Sequence, residues 1–184
     1  MYKKFSVLSL ISVAALSACG AEILMGDVWR SGAPSEFAAA AGGRDMTTLI
    51  IGNPFDQAKD AVNIAITDAM LGHNYGPPTH FTTRPGPSAA KNYSITILFN
   101  PPPAIGPNAL CGDTAGISAE ETGTRLRLIA VFCSHGEPMS FAYGSTVAAR
   151  SVMDPVVSSL MAKVTREIVP AVDPITVSPG RPGV

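Results

Sequence analysis

Arg125-Leu126-Arg127-Leu128-Ile129-Ala130-Val131-Phe132-Cys133 decides the fold class, because its side chains change character with a period of two. Successive residues of a strand point to opposite faces. Leu126, Leu128, Ala130 and Phe132 therefore share one face, and Arg125, Arg127, Ile129, Val131 and Cys133 share the other. The first face is apolar throughout; the second starts charged and turns apolar. Asn92 to Phe99, with Tyr93, Ile95, Ile97 and Phe99 aligned, and Met139 to Val147 alternate in the same way. Met46 to Ile51 is a shorter β-branched run that also reads as a strand, and Thr79 to Thr83 is a further candidate.

Helical spacing takes over in two places. Asn53-Pro54 with Asp56 predicts a helix start, after which Phe55, Ala58, Val62, Ala65, Ile66 and Ala69 recur on one side until Gly72. On its other side, Asp56 and Asp60 could hold a cation or form an ordinary solvated face. Asp154-Pro155 opens a second helix whose stripe is Val156, Val157, Leu160, Met161, Val164 and Ile168, ended by Pro170. The order β-α-β-β-β-β-α predicts an α+β fold. Its expected form is a mostly antiparallel four- or five-stranded sheet with two helices packed on one face.

Composition limits what such a domain can do. The chain has 184 residues, 46% hydrophobic and 15% charged, which suits one folded domain. A net charge of -1 leaves no basic excess to displace counterions from phosphates, so nucleic acid is not an expected partner.

The N-terminus carries an address. Lys3 and Lys4 precede an uncharged run from Phe5 to Leu16, far short of the roughly 20 residues that span a bilayer, so residues 1–18 read as an export signal. The run ends in Leu16-Ser17-Ala18-Cys19-Gly20, which resembles the lipobox of bacterial lipoproteins. The resemblance implies cleavage before Cys19, acylation of that cysteine, and a permanent hold on the membrane through its acyl chains. Gly20 after the cysteine, rather than Asp, implies the outer membrane, facing the periplasm, more than the inner one. Residues 19–44, punctuated by Gly26, Gly32, Pro34, Gly42 and Gly43, then read as the lipidated N-terminus and a flexible tether. Residues 45–169 form the globular α+β domain, and 170–184 a Pro/Gly-rich tail.

Chemistry is sparse in the mature chain. Cys111 and Cys133, in an oxidising compartment, predict a disulfide. If Phe99 and Arg125 mark the two ends of a hairpin connection, Cys133 lies about 26 Å from it at about 3.3 Å per residue. The segment from Asn100 to Leu110 must therefore double back along the sheet, and Pro101, Pro102 and Pro103 suit an extended path. His73, His80 and His135 could hold zinc, with Asp27 a further candidate, but their spacing matches no zinc motif and no carboxylate is expected beside them. Ser88-Ala89-Ala90-Lys91 fits S-x-x-K, yet Pro85, Gly86 and Pro87 place its serine in a turn.

The expected binding surface is the sheet face carrying Arg125 and Arg127, together with the Pro101–Pro103 loop. The expected role is a non-enzymatic adaptor or accessory subunit, without a cofactor, that binds another envelope protein. The alternatives are a small periplasmic metal-binding protein or enzyme using His73, His80 and His135, and a carrier of a small apolar ligand held between sheet and helices.

Overall fold

The computed structural model describes residues 22–121, 123–169 and 171. The export signal, Cys19 and, apart from Ala171, the C-terminal tail lie outside the described residues. Along the chain run β1 (Glu22–Val28), α1 (Ala33–Ala41), β2 (Asp45–Ile51), α2 (Lys59–Met70), β3 (His80–Thr82), β4 (Tyr93–Phe99), α3 (Pro107–Leu110), β5 (Arg125–Ser134), β6 (Glu137–Val147) and α4 (Pro155–Ile168). No helix among the described residues is long and apolar enough to cross a membrane.

The α+β class holds, but the sheet is larger and more mixed than the pattern predicts. Among the described residues it has six strands, in the order β1-β6-β5-β4-β2-β3. β1, β6, β5 and β4 pair antiparallel, whereas β2 lies parallel to both β4 and β3. The cause is α2: a helix that crosses back over the sheet returns the chain to the same edge, so β3 must run with β2 and not against it.

The N-terminal segment is not a tether over its described part. β1 pairs with β6 from Glu22↔Ser145 to Val28↔Ser140 and forms one edge of the sheet. α1 buries Ala33, Phe37, Ala40 and Ala41 against the core. Gly26 lies within β1, opposite Ala142, and the other glycines and the proline mark the borders of α1. Gly32 takes φ 88° immediately before α1, Pro34 sits in its first turn, and Gly42 and Gly43 follow it.

α2 also starts later than predicted, at Lys59. Asn53 spends its side chain on a local turn, accepting from the Phe55 backbone at 3.2 Å and donating to the Gln57 carbonyl at 2.9 Å, so residues 53–57 form a loop. α4 opens where expected: Asp154 accepts from the Val156 backbone at 3.1 Å and Pro155 follows in the first turn.

Both faces of the sheet are covered. α1, α2 and α4 pack on one face over Met46, Ile50, Ile95, Ile97, Phe99, Leu128 and Phe132. The other face holds a smaller cluster of Leu98, Leu110, Ile129, Val131, Cys133 and Phe141, with Ile105, Ile117 and Ala119 of the segment 101–121 packed against it. This explains why Ile95 to Phe99 are buried without interruption. The expected binding face is thus covered from Ile129 to Cys133, while Arg125 and Arg127 stay exposed at its rim.

Candidate functional site

The segment 101–121 doubles back along the sheet, as the disulfide requires. Phe99 stands opposite Leu128 while Ser94 stands opposite Cys133, and the bond Cys111–Cys133, with Cα atoms 5.5 Å apart, ties the returning chain to the far end of β5. Pro101–Pro103 form the bend at which it turns back, closed by the Ile105 amide donating to the Pro102 carbonyl at 3.0 Å.

Arg125 and Arg127 stand at the same end of the sheet, which we call the Phe99 end. Arg125 Nε donates to Ser145 Oγ at 2.7 Å, and the Arg127 guanidinium reaches Glu120 Oε2 at 3.3 Å. Arg127 also donates its backbone N–H to Asn100 Oδ1 at 3.1 Å, and Glu120 donates its own to the Asn100 carbonyl at 2.8 Å. Both arginines thus fasten the domain to itself. Asn100 is the hub of this knot, buried and held at φ 45°, where a non-glycine residue is rare.

The knot closes one side of a cleft of about 770 Å³ at the C-terminal ends of the parallel strands β2 and β4. The chain leaves β2 towards the helical face and leaves β4 towards the opposite face, so a crevice opens between the two exits. Gly52 to Asp56 form one wall and Ile117 to Glu121 the other. Gly52 must be glycine here: it has φ 83°, and a Cβ would meet the Ala119 Cβ at 2.6 Å. The rim carries Asp56, Lys59, Glu120 and Glu121, a mixed-sign set suited to holding a polar group by contact.

The three histidines take separate partners. His73 Nδ1 accepts from Arg166 at 3.1 Å, and His135 Nδ1 lies 3.0 Å from Ser134 Oγ. His80 donates from Nδ1 to Asp45 Oδ1 at 2.7 Å, so a carboxylate does stand beside one of them, contrary to the sequence reading. Strand pairing brings it there, since Asp45 and His80 are register partners between β2 and β3. Among the described residues no three His, Cys, Asp or Glu side chains are grouped to hold a metal. Asp27 caps the backbone of its neighbour Val28 at 2.8 Å. Ser88 lies in a turn, exposed, as expected.

The His80 hydrogen bond, followed by the Gly86 N–H at 2.7 Å, holds the Asp45 carboxyl below its ordinary value of 3.8. A carboxyl lowered in the fold contributes stability that is complete above 3.8 and disappears as pH falls through the lower folded value. Asp45→Asn should therefore flatten the acid limb of a plot of melting temperature against pH. An acid limb as steep as wild type would refute this assignment.

A second cleft, of about 650 Å³, opens at the opposite end of the sheet, the Tyr93 end, and gathers Trp29, Arg30, Glu36 and Glu137 beside His135. The Tyr93 hydroxyl donates to Glu36 Oε2 at 2.6 Å, joining α1 to β4, and Ser134 hydrogen-bonds the same phenol. The bond to Glu36, with burial second, pushes the Tyr93 phenol above its ordinary range. Beside this network Arg30 pairs with Glu137 at 2.7 Å. Trp29 lies edge-on to Phe141, with centroids 4.8 Å apart and 41% of its surface exposed. Met25 of the edge strand β1, opposite Tyr143, is 53% exposed. Met25, Trp29, Arg30 and Glu36 all fall within residues 19–44, the stretch expected to be a tether. The chain's one Trp next to an Arg was the available signal.

No family model and no curated protein matches the chain. Among solved structures, the PelC dodecamer from Paraburkholderia phytofirmans is similar at a TM-score of 0.41 and 16% identity, over 79% of this chain and 98% of that one.

Proposed function

We propose that this chain is a lipid-anchored protein of the bacterial cell envelope, acylated at Cys19, that works as a non-enzymatic adaptor by binding another envelope protein at the Tyr93 end of its sheet. The observation that carries the binding surface is the exposure of Trp29 and Arg30 just past the edge strand β1, beside an open cleft. Trp, Tyr and Arg dominate the energetics of protein interfaces, because they combine a large contact area with directed polar groups. An edge strand adds unpaired backbone groups alongside them. The lipobox supports the address, with Gly20 favouring the outer membrane, and the histidines, held by separate partners, give no support to a shared metal centre.

Two measurements test the two halves of this reading. Cys19→Ala should move the protein out of the detergent phase or leave an uncleaved precursor; wild-type behaviour would end the lipoprotein reading. Trp29→Ala combined with Arg30→Glu should abolish the main crosslinked envelope species in cells while the purified variant still melts cooperatively. An unchanged crosslinking pattern would remove the Tyr93 end as the docking surface.

A further inference from the structure

The two ends of the sheet lie at different distances from Cys19, and from this we infer that the Phe99 end of the domain rests on the lipid bilayer. The inference depends on acylation of Cys19 and adds to it which surface meets the membrane.

Cys19 precedes Glu22 by three residues, so their Cα atoms are at most about 11 Å apart whatever path the chain takes between them. Glu22 stands opposite Ser145, and the strand β6 continues past it to Val147, which stands opposite Arg125. At about 3.3 Å per residue that continuation already projects about 7 Å beyond Glu22. The bend at Pro101–Pro103 and the approach to α4 lie at the same end. The reach of the anchor is therefore close to the height of the surface it must clear, and the domain cannot stand off from the bilayer by more than a few ångströms. The Tyr93 end lies about 33 Å away along β6, clear of the lipid and open to the periplasm.

The chemistry of the Phe99 end fits that position. Met153, at the approach to α4, is 75% exposed and lines an apolar groove with Ile64 of α2. Pro103 and Ala104 are exposed and uncharged at the bend. Arg125 and Arg127 stand at the same end, with their heads held by Ser145 and Glu120. Acidic groups, Asp56 and Glu120 among them, share this end, so the acyl anchor and the apolar side chains hold the surface down, not net charge.

The test uses the protein expressed with its own signal in a bacterial host, purified in detergent and reconstituted into vesicles of phosphatidylethanolamine and phosphatidylglycerol. Met153→Cys, Pro103→Cys and Glu137→Cys are each labelled with a fluorophore; the disulfide pair and an acylated Cys19 do not react with the thiol reagent. Spin-labelled lipid should quench the probes at positions 153 and 103 several-fold more than the probe at 137. Equal quenching at all three on vesicle-bound protein would overturn the orientation while leaving the anchor in place. A protein that fails to bind vesicles, and whose N-terminal peptide carries no acyl mass, would overturn both, so the two failures are distinguishable.

Discussion

Replacing Cys111 and Cys133 together by Ala is expected to destabilise the domain by about 3 kcal/mol, the cost of releasing a closed loop of this length in the unfolded chain. The bridged residues are separated by 22 positions. The loss should lower the melting temperature by about 6–12 °C for a domain of this size. The effect should also be local before it is global. The segment 101–121 has only the four-residue helix α3 as regular structure and packs on the smaller of the two clusters, so little else holds its far end to the sheet. In the variant, amide exchange should rise first in residues 105–121, then in β5, and the newly uncovered Ile129, Val131 and Phe141 should bind a hydrophobic dye. A variant that melts like wild type, with unchanged protection over 105–121, would show that packing alone holds the segment in place.

How much of this was legible in the sequence follows from which interactions are local. β4, β5 and β6 were readable because period-two alternation is a property of the strand itself, and α4 because Asp154 and Pro155 cap it through neighbours two residues away. The disulfide was readable because, with Cys19 set aside as the expected anchor, the two other cysteines leave one pairing. The parallel placement of β2 depends on a crossover, which no single segment displays, although the strand-helix-strand order implied it. The false start of α2 at Asn53 arose because one residue type serves both as helix cap and as turn former, and here the Gln57 carbonyl captured it. The site residues were harder still. Asn100 is held by partners at Arg127 and Glu120, and Tyr93 by Glu36, contacts that only the folded sheet brings together. Arg127 carried the opposite lesson: its charge and exposure suggested a partner, and the partner is Glu120 of the same chain.

Deleting residues 22–44 is expected to abolish cooperative folding altogether, an outcome that a flexible tether would not produce. The deletion would strip Val28, Ala33, Phe37, Ala40 and Ala41 from the main core and leave β6 with one whole edge unpaired. Phe37 shows the scale. It is 1% exposed, packs edge-on against Phe132 with centroids 5.4 Å apart, and lies 6.4 Å from Phe81. Phe37→Ala alone should cost about 3–5 kcal/mol, because the cavity it leaves lies between a helix and the sheet and cannot collapse. Whole domains are stable by only about 5–15 kcal/mol, so losing Phe37 together with four other buried side chains and a strand exceeds what the remainder can absorb. Trimming residues 1–19 is the control and should leave the melt unchanged. If the 22–44 deletion melted cooperatively at the wild-type temperature, β1 and α1 would be accessory, and the proposed orientation, which relies on β1 as a fixed sheet edge, would lose its basis.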